Sequence, residues 1–118
     1  MTNINVLITV RDSYAERYRQ KLAAYKDIRF TLVTSLTEAL KHLSQHNLQT
    51  EALVLDNGLE GVYELVSELR PTHRRLLIIL IDEDADFAMP GAADEISTDP
   101  FTDDDLVRRI NRLMSDRR

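Results

Sequence analysis

Four aspartates and one arginine stand where strand-like runs end. Arg11 and Asp12 follow INVLITV (4–10), Asp56 follows ALVL (52–55), Asp82 follows LLIILI (76–81) and Asp99 follows EIST (95–98). Carboxylates gathered at one edge of a sheet have two chemistries open to them. Several carboxylate oxygens can hold a hard cation such as Ca²⁺ or Mg²⁺. Alternatively, a guanidinium can take both oxygens of one carboxylate in a bidentate pair. No dense D-x-D-x-D loop supports the cation, and Arg11 opposes it. The expectation is therefore that Arg11 pairs with Asp56 or Asp99. The plainer alternatives are a solvated arginine, an Asp56 carboxylate hydrogen-bonded by the loop amides of Asn57 and Gly58, and a set of acids relieved by solvent, with one pKa raised by its like-charged neighbours.

The elements that must bring these residues together are legible from apolar periodicity. Residues 4–10 and 76–81 are almost continuously apolar and β-branched, the pattern of parallel strands covered on both faces. Residues 28–33 (IRFTLV) alternate more and are expected near an edge, while 52–55 and 95–98 complete the strands. Helical spacing falls between them. Ser13 is placed to cap a helix burying Ala15, Tyr18, Leu22 and Tyr25, and Thr34 or Ser35 opens a second burying Leu36, Leu40 and Leu43. A third buries Val62, Leu65, Val66 and Leu69 and is expected to stop before Pro71. The last opens on Asp103, Asp104 and Asp105, acids suited to the positive end of a helix dipole, and buries Leu106, Ile110 and Leu113. Strands alternating with helices predict one α/β domain with a doubly wound parallel sheet. Ligands of such sheets bind beyond the C-terminal strand ends, where Val10–Asp12, Asp56, Asp82 and Asp99 fall.

The bulk numbers exclude several classes of function. A chain of 118 residues makes one domain burying roughly 65% of its surface. Hydrophobic content of 43% with 30% charged residues is that of a globular protein. A net charge of −5 argues against a nucleic-acid partner for this domain. No cysteine is present, so thiolate chemistry and disulfides are excluded, in keeping with a cytoplasmic protein. No run reaches the 18 or so apolar residues of a membrane span. Gly58, Gly61 and Gly91 form no phosphate-cradling motif, and no Ser-His-Asp arrangement is identifiable. His42, His46 and His73 have no spacing that reads as a zinc site; the first two are spaced as a two-ligand helix face but lack a third ligand, and we read them as a solvated helix edge. The five arginines of RRINRLMSDRR (108–118) read as a favourable helix C-terminus rather than a docking tail.

With this order in place, ALVLDNGLEG (52–61) resembles the LVLLDLxLPG segment of response-regulator receiver domains, and AADEISTDPF (92–101) resembles their GADDYLTKPF. NVLITVRDS (5–13) is a weaker match to the first strand and its acidic turn. The resemblance covers the whole chain and implies a five-stranded sheet of order 2-1-3-4-5. It also implies a site in which an aspartate after the third strand accepts a phosphoryl group. There, two acids after the first strand hold Mg²⁺, a Ser/Thr follows the fourth strand, and a lysine follows the fifth. Phosphoryl transfer gathers anionic oxygens, so those cations are a physical necessity.

Carried over residue by residue, the resemblance makes Asp56 the phosphoacceptor equivalent and leaves the rest degenerate. The acidic pair falls on Val10 and Arg11, with Asp12 one residue beyond. The Ser/Thr falls on Ile81 or Asp82, the lysine on Asp99, and the rotating aromatic on Ile96. Arg11 thus stands where a metal ligand is required and can replace the missing cation. Pro100 is a candidate cis proline, as the family's Lys-Pro bond is. Asp99 follows Ile81 by only 18 residues, so the fourth helix is expected to be short or missing. The resulting expectation is a pseudo-receiver: no enzyme, no cofactor and no metal, cytoplasmic, standing alone or as one domain of a larger regulator. It acts by contact with a protein partner in a signalling assembly or as a homodimer, away from nucleic acid and membrane. Two alternatives stand beside it: an atypical receiver still phosphorylated at Asp56, and a domain sensing a cation or small ligand in the strand-end cleft.

Overall fold

The computed structural model describes residues 4–23, 28–46, 50–56, 58–73, 75–81, 95–97, 108, 110–112 and 115. Eight elements follow in order: β1 (Ile4–Thr9), α1 (Asp12–Leu22), β2 (Ile28–Val33), α2 (Leu36–His46), β3 (Ala52–Asp56), α3 (Val62–Thr72), β4 (Leu77–Ile81) and β5 (Glu95–Ser97). Arg108, Ile110–Arg112 and Ser115 are also helical. The five strands form one sheet in the order β2-β1-β3-β4-β5, parallel at every pairing. Strands of continuous apolar sequence occupy the centre, and the alternating 28–33 segment forms the β2 edge, as its pattern predicts.

Side-chain alternation divides the core between the two faces of the sheet. Val6, Ile8, Val10, Ala52, Val54, Leu77, Ile79 and Ile81 pack with Ala15, Tyr18 and Leu22 of α1 and with Ile110. Leu7, Leu53, Leu55, Ile78 and Leu80 point the other way, against Ala39 and Leu43 of α2 and Val62, Leu65, Val66 and Leu69 of α3. β3 and β4 are buried along their whole length, as strands covered on both faces must be.

Three local expectations need correction. Ser13 lies inside α1 and does not cap it. The Asp56 carboxylate holds the chain at Arg11, whose carbonyl accepts the first turn's bond from the Tyr14 amide at 3.0 Å. On α2, Leu40 is 39% exposed and the inward position belongs to Ala39. The small alanine faces the sheet, leaving Leu40 about 100° further round the helix. α3 runs through Pro71 to Thr72 instead of stopping before it. A proline this near the end frees only the carbonyl four residues back, that of exposed Ser67, while the His73 amide still reaches Leu69 O at 2.7 Å. The Ser35 expectation holds: its Oγ accepts the Glu38 amide at 3.1 Å, and the Glu38 carboxylate accepts the Thr34 amide at 3.4 Å, in the manner of a capping box. Tyr25, the 82–94 region with its expected short fourth helix, and the side chains of Ile96, Leu106 and Leu113 lie outside the described residues.

Thr9 is fully buried on β1, and its Oγ1 finds no hydrogen-bond partner among the described residues. A buried hydroxyl without a partner costs about 1–2 kcal/mol. Thr9→Val keeps the branched shape and removes that hydroxyl. It is expected to raise unfolding free energy by about 1 kcal/mol, seen as a higher urea midpoint at unchanged slope.

Candidate functional site

Parallel strands deliver the turns that follow them to one edge of the sheet. β1 and β3 are neighbours, with Thr9 opposite Leu55, so the residues just beyond them meet. Asp56 is the last residue of β3, and Arg11 lies in the two-residue turn between β1 and α1. The chain reverses after Asp56 in a turn closed by the Leu59 amide on the Asp56 carbonyl, 3.1 Å. Within that turn the Gly58 amide donates to Asp56 Oδ1 at 2.8 Å, an Asx-type contact two residues on.

Arg11 supplies the other donors. Its Nε donates to Asp56 Oδ2 at 2.7 Å and its Nη2 to Oδ1 at 2.9 Å, a two-point guanidinium–carboxylate pair. The Arg11 main-chain amide adds a third contact to Oδ2 at 3.1 Å. The guanidinium carbon sits 4.5 Å from the centre of the Tyr14 ring, one turn into α1, close enough for a cation–π contact. Asp56 is thus 1% exposed yet holds four N–H donors, two on each oxygen.

Burial by itself pushes the Asp56 carboxyl up. The Arg11 guanidinium bond, the Gly58 and Arg11 amides and the nearby positive charge outweigh it, so the pKa lies below its ordinary 3.8. The carboxylate is ionised at neutral pH, and its charge is balanced inside the protein.

The other predicted site residues divide clearly. The Val10 side chain belongs to the apolar core beneath α1 and offers the site no polar group. Asp12 opens α1 and is exposed. Ile81 ends β4, buried. Asp82, Asp99 and Pro100, with the proposed cis bond, lie outside the described residues. His42 and His46 fall on α2 and His73 at the end of α3, and among the described residues no three His, Asp or Glu side chains converge to hold a metal ion. The donor set does not fit Mg²⁺: Val10 is hydrocarbon, Arg11 is a cation, and both Asp56 oxygens already accept two N–H groups each.

One participant was not legible in the residue pattern. Tyr14 supports the guanidinium, and its only signal was a position three residues after Arg11 on a helix. The Gly58 amide does bond Asp56, as expected of a loop amide after the strand, while Asn57 lies outside the described residues.

No protein-family model and no curated protein matches the sequence. Solved structures do match the fold. A response regulator receiver domain protein from Clostridium thermocellum superposes with a TM-score of 0.81 at 17% identity, over 97% of this chain and 96% of that one. The response regulator TrrA from Thermotoga maritima, solved with Mg²⁺ and a beryllium fluoride, gives 0.76 at 22% identity over 93% and 98%. The receiver domain of Ssk1 from Saccharomyces cerevisiae, solved with the histidine phosphotransfer protein Ypd1, gives 0.73 at 16% over 92% and 87%. The chain therefore has the receiver fold, a flavodoxin-like parallel sheet wrapped by helices.

Removing Arg11 strands a buried carboxylate. Arg11→Ala is expected to cost about 2–3 kcal/mol at pH 7, the low side for a broken buried pair because the Arg11 side chain is 37% exposed. The sign of its pH dependence follows from the two pKa directions. In the wild type the carboxyl is depressed, so its contribution is present above the ordinary carboxylate range and is lost only as pH falls through the lowered value. In Arg11→Ala the guanidinium bond and the positive charge that lower the pKa are gone, so the carboxyl titrates higher than in the wild type. The stability gap between the proteins should therefore be widest near neutrality and narrow on acidification, measured by urea unfolding across that range.

Proposed function

We propose that this chain is a phosphorylation-independent signalling module, a receiver fold used as a protein-binding surface. It has no enzymatic activity of its own, and its partner is another protein of a signalling assembly, met in the cytoplasm. The observation that carries this reading is the Arg11–Asp56 pair. A phosphoacceptor must present a free carboxylate oxygen, with cations nearby to neutralise the incoming phosphoryl group. Here both oxygens are engaged, and the nearby cation is spent on the aspartate itself. Arg11 acts as a fixed counter-ion where the family pattern calls for a metal. The structural likeness to a receiver that was solved with a protein partner supports a role in protein contact. Among the described residues no helix is long and apolar enough to cross a membrane.

Beryllofluoride with Mg²⁺ tests the proposal on the wild-type protein. The amide signals of Arg11, Asp56 and Gly58 are expected to stay in place at saturating reagent. Shifts concentrated at these residues would mean that the site accepts a phosphoryl mimic and that the atypical-receiver alternative is correct.

A further inference from the structure

The guanidinium lies against Gly58 so closely that the site has no room for a side chain there. A Cβ added at Gly58 would overlap Arg11 Nη2, approach its Cζ to 2.5 Å and come within 3.1 Å of Asp56 Oδ1. This is not a backbone requirement. Gly61, at the start of α3, has φ +90°, in the left-handed region that disfavours side chains, whereas Gly58 does not. An alanine at 58 is therefore compatible with the main chain, and the group it displaces is the far end of a flexible arginine. The Gly58 amide can keep its bond to Asp56, since that bond runs through the backbone.

We propose that Gly58 is the positioning residue of the closed site. The missing side chain two residues after Asp56 is what lets Arg11 lie across the carboxylate. Whether Asp56 is covered is then decided at position 58 as well as at position 11. The observed site is closed, with the guanidinium on both oxygens, and an alanine at 58 would open it, leaving the two main-chain amides of Arg11 and Gly58 on the carboxylate. The proposal rests on the reading of Arg11 as counter-ion to Asp56 and adds the residue that permits it.

The test is a cycle of four proteins: wild type, Gly58→Ala, Arg11→Ala and the double variant. Two quantities are read, hydrogen exchange at the Arg11 Nε–H signal and unfolding stability. Gly58→Ala is expected to speed exchange at Arg11 Nε–H about tenfold or more. The two substitutions are expected to be strongly non-additive, because each removes the same contact. An Nε–H that stays protected in Gly58→Ala would overturn the proposal. So would an alanine at 58 that costs as much with Arg11 absent as with it present. Should Gly58→Ala alone be too unstable for the exchange measurement, the double variant against Arg11→Ala still decides, because without the guanidinium only the contact to Asp56 Oδ1 at 3.1 Å remains of these three, and a shift of a few tenths of an ångström relieves it. This cycle is independent of the beryllofluoride experiment. Additive variants with an unmoved beryllofluoride spectrum remove the role of Gly58 and leave the proposed function. Coupled variants with a shifted spectrum do the reverse.

Discussion

A carboxylate taken out of water must be compensated where it is buried, and Asp56 meets that constraint without a metal. Two guanidinium bonds and two amide bonds hold it, and they place requirements on four stretches of chain at once. β3 must end at Asp56, and β1 must end beside it so that Arg11 arrives at the right height. α1 must begin immediately, which puts Tyr14 under the guanidinium, and the turn after β3 must be bare at Gly58. The pair is thus less an added source of stability than a condition that the local geometry has to satisfy. Isosteric apolar replacements of buried ion pairs are often neutral, while the loss of one partner is costly.

Most of the fold was legible in the residue pattern. Continuous apolar runs at 4–10 and 76–81 specified central parallel strands, and the alternation of 28–33 specified an edge. The errors came where propensity meets tertiary structure. Pro71 is a helix breaker by rule, but only in a helix interior; in the last turn the lost bond falls on the carbonyl of an exposed serine. Leu40 has the apolar character of a core residue, yet Ala39 occupies the face against the sheet. The start of α1 was displaced from Ser13 because a contact 45 residues away in sequence fixes Arg11, a constraint no local window contains.

The site was legible in part for a similar reason. That an arginine and an aspartate follow neighbouring strands can be read from residue types, and the family resemblance brought Arg11 and Asp56 together as site positions. That Arg11 reaches Asp56 depends on the register that sets Thr9 opposite Leu55, and Asp99 lies outside the described residues. The Gly58 amide was legible as a donor to Asp56, but the space at position 58 was not, because it is what an absent atom leaves.

The proposed function requires that Asp56, paired with Arg11, be closed to phosphoryl transfer. Incubation of the wild-type protein with acetyl phosphate and Mg²⁺, followed by intact-mass and peptide-level analysis, tests it most directly. The account predicts no phosphoryl adduct at Asp56 under conditions that label a functional receiver in the same tube. An acid-labile adduct on Asp56 in the wild-type protein would contradict it.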